Sequence, residues 1–93
     1  MSLVTFKRPE LAYEINVATA TVAVARETLS YIVERRSDVL AVRAALGARA
    51  KSKLLSVLDE EITSLDQAVD EAEEFLSAWE EICATLTKRT ADS

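Results

Sequence analysis

Val39-Leu40-Ala41-Val42-Arg43-Ala44-Ala45-Leu46-Gly47-Ala48-Arg49-Ala50-Lys51-Ser52-Lys53-Leu54-Leu55 holds the only glycine of a 93-residue chain. Upstream of Gly47 an apolar stripe runs Leu11, Ile15, Ala18, Val22, Ala25, Leu29, Ile32, and then Arg36, Val39, Arg43, Leu46. Its steps alternate four and three, the seam of helix-on-helix packing. Downstream a second seam runs Leu55, Leu58, Ile62, Leu65, Val69, Ala72, Leu76, Trp79, Cys83, Leu86. Carried past Gly47 in the phase of the first, a single helix would present Ala50, Lys53, Val57 and Glu60, a poor seam. The phase therefore breaks at Gly47, where a helix C-cap favours a left-handed residue.

This pattern predicts an all-α fold of two long antiparallel helices, an αα-hairpin with coiled-coil-like packing. The expected organisation is an N-terminal tail over 1–8, helix one over 9–46, a turn over 47–51, helix two over 52–88 and a C-terminal tail over 89–93. Pro9 suits a first helical turn, since its missing N–H would lack a helical partner there anyway, and Glu10 complements the positive helix end. Folding the chain back about Gly47 sets Ile32 beside Ile62, Leu29 beside Leu65, Ala25 beside Val69 and Ile15 beside Trp79. It brings Arg36 level with Leu58, near Asp59 and Glu61. Arg49, Lys51 and Lys53 look poorly placed at the start of helix two, where the dipole disfavours cations.

Composition narrows the function classes. One glycine and one proline leave few residues for hairpin turns, which argues against a β-rich fold. With no histidine, the commonest acid/base and metal-ligand side chain is missing. Cys83 is the only cysteine, which excludes an internal disulfide and fits a reducing compartment. The longest uncharged run near the N-terminus, Ile15 to Ala25, is eleven residues, against roughly 20 for a membrane span. No leader pattern is visible in Met1–Arg8, so the expected location is cytoplasmic.

Eleven basic residues face sixteen acidic ones, a net charge of −5. Nucleic acid is not the expected partner of such a chain, because generic binding to phosphates rests on many Lys and Arg. The charge is also segregated: Arg35 to Lys53 holds six bases and one acid, whereas Leu54 to Thr87 holds ten acids and no base. Within the second stretch Asp66, Asp70 and Glu73 form an acidic face. Its simplest role is solvation; its functional role would be to engage a basic surface. The sequence shows no nucleophile–base pair, phosphate-cradling loop or metal-ligand spacing, so no enzymatic activity, cofactor or metal is expected.

Helix one carries a second stripe, Tyr13, Val17, Ala20, Val24, Thr28 and Tyr31, nearly opposite the first. Helix two broadens around Phe75, Trp79 and Ile82. Four of the five aromatics (Phe6, Tyr13, Phe75 and Trp79) lie toward the end away from the turn. A hairpin partner covers only one side of each helix, so these residues of the two helices, Thr28 apart, are the candidate oligomer or partner interface. The expected function is a non-enzymatic protein–protein interaction module acting as adaptor, assembly chaperone or structural subunit. It would complete a four-helix bundle by self-association, with a dimer favoured and a larger protein as a further possible partner. The alternative is an acidic inhibitor or nucleic-acid mimic that binds a basic surface of a larger protein.

Overall fold

A computed structural model describes residues 9–91, and all of the regular structure among them is helical. Helix α1 spans Pro9–Leu46, a 3-10 turn spans Gly47–Arg49, and helix α2 spans Ser52–Ala91. The two long helices pack against each other as a hairpin. Helix α2 runs three residues beyond the expected end at 88, so residues 89–91 are helical rather than tail. Lys88 and Arg89 in its last turn suit the negative helix end, which favours that continuation. The expected N-terminal tail 1–8, with Phe6, and the last two residues lie outside the described part.

The connection begins where α1 runs out of helical partners for its last carbonyls. Gly47 takes φ of +50°, in the left-handed region. Beyond its own stretch of backbone, no atom comes within 4 Å of where its Cβ would stand, so its requirement is conformational rather than spatial. Arg49 bends back to donate from its guanidinium to the Ala45 carbonyl at 2.9 Å. It thereby serves the C-terminus of α1, where a cation is favourable, and does not burden the start of α2. Ala50 is extended, with φ of −83° and ψ of 153°. The Lys51 carbonyl then accepts the first bond of α2, from the Leu55 amide at 3.1 Å. Gly47→Ala should cost about 1–2 kcal/mol, the price of a left-handed L-residue. Urea unfolding checks this, and Gly47→Asn should lose less, because Asn tolerates that region better.

The described residues form two compact units, Glu27–Glu73 around the turn and 9–26 with 74–91 at the open end. In the turn unit the seam residues Leu29, Ile32, Arg36, Leu46, Leu55, Leu58, Ile62, Leu65, Val69 and Ala72 are half-buried, and Val39 is buried. Arginines in and beside this seam reach across to α2. Arg43 donates to Asp59 at 2.9 Å, Arg36 bonds Asp66, and Arg35 lies 3.9 Å from Glu61. In the open-end unit Ala18, Val22, Ala25 and Leu86 are buried, with Ile15, Leu76, Trp79 and Cys83 half-buried beside them. Ala18 and Ala25, buried one heptad apart on the same face with Val22 between them, favour a close approach of the helix axes, since interaxial distance follows side-chain size at the contact.

These cross-helix pairs correct the expected register. Arg36 meets Asp66, not the neighbourhood of Leu58, and Thr19 meets Cys83. The seams are therefore offset by one heptad from a fold centred on Gly47. Ile15 comes level with Leu86, Ala18 with Cys83, Val22 with Trp79 and Ala25 with Leu76. Around the turn, Arg36 comes level with Leu65, Val39 with Ile62 and Arg43 with Leu58. The cause is the length of the connection. The chain does not reverse at Gly47 alone but uses the 3-10 turn, Ala50 and Lys51 as well, so the point of reversal moves toward α2.

Candidate helix-docking surface

Between Ile15 and Ala25 helix α1 has no charged residue on any side. At 3.6 residues per turn, Ala18, Val22 and Ala25 face α2, which turns Tyr13, Val17, Ala20 and Val24 away from it. Those four are all exposed, Tyr13 by 69% and Val24 by 61%. On α2, Phe75 is 51% exposed and Ile82 is exposed as well. Trp79 sits differently: it is half-buried in the seam, and Phe75 leans on it with ring centroids 6.3 Å apart and planes tilted by 50°. Such a tilted pair fixes both rings while leaving the outer face of Phe75 to solvent. Seven of the eight candidate interface residues thus belong to the open-end unit. Tyr31, exposed, belongs to the turn unit.

Polar groups close one flank of this unit. Arg26 donates to Glu80 at 2.9 Å, and the Thr19 hydroxyl lies 3.9 Å from the Cys83 sulfur. Cys83 is a half-buried seam residue, where a thiol packs as a small hydrophobe. Sequence reasoning had no means to find these flanking pairs, because they depend on the register.

The three residues of the expected acidic face have separate surroundings. All three are exposed, and Asp66 accepts a bond from Arg36. Asp59, outside that set, receives two bonds from Arg43, at 2.9 and 3.5 Å. This hydrogen bonding holds the Asp59 carboxyl below the ordinary aspartate range, aided by the guanidinium charge, and it holds Arg43 above its ordinary value. A depressed carboxylate contributes stability above its unfolded-state value, and that contribution disappears as pH falls through the folded value. The pair should therefore support the fold at neutral pH and release it in acid, below the usual aspartate midpoint. NMR titration of the Asp59 carboxyl should show a lowered midpoint, and Arg43→Gln should return it to the ordinary value.

Among the described residues no cluster of three or more Cys, Asp or Glu side chains could hold a metal ion. No described helix is long and apolar enough to cross a membrane. No protein-family model, curated protein or solved structure matches the chain.

Proposed function

We propose that the chain is a non-enzymatic, self-associating helical hairpin, a cytoplasmic adaptor, assembly chaperone or structural subunit that works by helix-on-helix binding. The observation that carries this reading is the size of the core. Among the described residues only Ala18, Val22, Ala25, Val39 and Leu86 are buried, and no large side chain is fully enclosed. Tyr13, Val17, Val24, Phe75 and Ile82 meanwhile stand in solvent. Small domains with so little enclosed apolar surface gain stability by association. Two hairpins that cover each other's apolar side make a four-helix bundle with two-fold symmetry.

The acidic-mimic reading has less support. Asp59, Glu61, Asp66 and Glu80 are paired with arginines of this chain, so four of the ten acids of that stretch already have cationic partners. Light scattering on the eluting protein tests the proposal. The expected mass is a small multiple of 10.2 kDa, most simply two chains. It should persist in high salt, which screens exposed charge but not apolar contact. A helical monomer at every concentration would sink self-association.

A further inference from the structure

The turn end of the hairpin combines two features that helix-on-helix binding does not use: cations without acidic partners and aliphatic side chains in solvent. We infer that this end docks on an anionic lipid surface, with Val42, Leu54 and Val57 entering the headgroup region and Arg49, Lys51 and Lys53 meeting anionic headgroups. The contact is peripheral, since no described helix is long and apolar enough to cross a bilayer. It does not rest on self-association.

All six residues belong to the turn unit, and one ion pair shows which of them share a side. Arg35 and Glu61 approach to 3.9 Å across the seam. Val42 follows Arg35 by one heptad and Leu54 precedes Glu61 by one, so each projects within about 20° of its member of the pair. Val57, one turn before Glu61, projects within about 40° of it. The side that carries the ion pair therefore continues toward the turn as three aliphatic residues, all exposed. Lys53 stands one turn before Val57 on the same strip of α2 and is exposed, as are Arg49 and Lys51.

Charge at this end has one sign. From Val39 to Leu58 the chain has four bases and no acid. Arg43 is committed to Asp59. Arg49 gives one arm to the Ala45 carbonyl, and neither it nor Lys51 nor Lys53 pairs with an acid among the described residues. No acid stands in the first turn of α2 to offset them. Asp38, Glu60 and Glu61 lie about one turn farther from the connection than Val42 and Val57. These acids bound the patch, and their repulsion from a negative surface favours an end-on approach over a flat one.

An anionic bilayer complements both features. Basic side chains gain from its negative surface potential, and aliphatic side chains beside them gain from the acyl boundary. The long Lys and Arg stems keep their charges among the headgroups while the aliphatic neighbours go deeper. A nucleic-acid backbone would complement the cations alone and leave Val42, Leu54 and Val57 in water. An acidic protein would need a cavity shaped to a projecting turn, whereas lipid headgroups rearrange around one.

Flotation of the full chain with vesicles provides the test. At low salt, binding is expected to vesicles of equal parts phosphatidylserine and phosphatidylcholine, and not to phosphatidylcholine alone. Lys51→Gln with Lys53→Gln should weaken the partition coefficient about 25-fold, from about fivefold for each cation. Leu54→Ser with Val57→Ser should weaken it as well, while leaving its salt dependence in place. Both pairs change exposed positions, and circular dichroism should show unchanged helix content. An environment-sensitive dye on Leu54→Cys in a Cys83→Ser background should shift to the blue on the mixed vesicles, and the same dye on Ser77→Cys should not. No vesicle binding by the wild type overturns the proposal, whether or not an oligonucleotide or polyglutamate binds in its place. Equal binding to the two kinds of vesicle, indifference to either pair, or a label at Leu54 that stays in water overturns it too. Light scattering reads self-association separately, so a monomer that floats with the mixed vesicles removes that reading and keeps this one.

Discussion

Leu86→Ala should lower the free energy of unfolding by about 2–4 kcal/mol, the largest loss expected from any single truncation among the described residues. Leu86 is the only residue of α2 that is buried, at 7% exposure, and it lies level with Ile15 in the observed register. Removing its side chain subtracts the transfer free energy of the lost methyl and methylene groups and leaves a void that two long helices cannot close by local collapse. Leu54, exposed near the start of α2, is the control. Leu54→Ala should move stability by less than about 0.5 kcal/mol. Urea midpoints with unchanged slopes would separate the two variants cleanly. Equal losses at the two sites would show that burial at the open end is not what holds these helices together.

Ala18→Leu should cost about 1–3 kcal/mol for the opposite reason. Ala18 is 1% exposed at the seam, and Ala25, two turns on, is buried too. These small side chains set how closely the helices approach, so three added heavy atoms must push the axes apart or force Cys83 and its neighbours off their rotamers. Ala and Leu have nearly the same helix propensity, so the change reports packing and not backbone preference. Ala23→Leu on the exposed side of α1 makes the same chemical change without the crowding and should be close to neutral. Thermal or urea unfolding of the two variants gives the difference directly.

The seams were legible because burial follows their spacing. Every residue of the four-and-three pattern, from Leu11 to Leu46 and from Leu55 to Leu86, is buried or half-buried, including Arg36 and Arg43. Gly47 was legible as a left-handed cap, since no other residue type adopts that conformation so cheaply. The register was not legible, because a heptad pattern matches itself when it slides by seven and periodicity carries no information about how many residues the turn consumes. Arg49 misled for a related reason. Its position suggested the start of α2, but a long side chain can act several residues back, and here it reaches Ala45. The exposed stripe of Tyr13, Val17, Ala20 and Val24 was visible as a pattern. That Arg26 meets Glu80 beside it was not, because the pairing follows from the register.

The connection between the helices has a consequence beyond its own stability. Asp59, Asp66, Glu73 and Glu80 recur every seven residues along α2, and Arg36 and Arg43 stand seven apart on α1. If one helix slid by a heptad, Arg36 would pass from Asp66 to Asp59 or to Glu73, and apolar seam would still meet apolar seam. The apolar spacing and an acidic partner for Arg36 are kept in each of these alignments, so they act as a ratchet with similar teeth. The five residues from Gly47 to Lys51 choose the tooth. The connector is therefore the molecule's ruler, and a change in its length would re-pair α1 with α2 while leaving both helices intact.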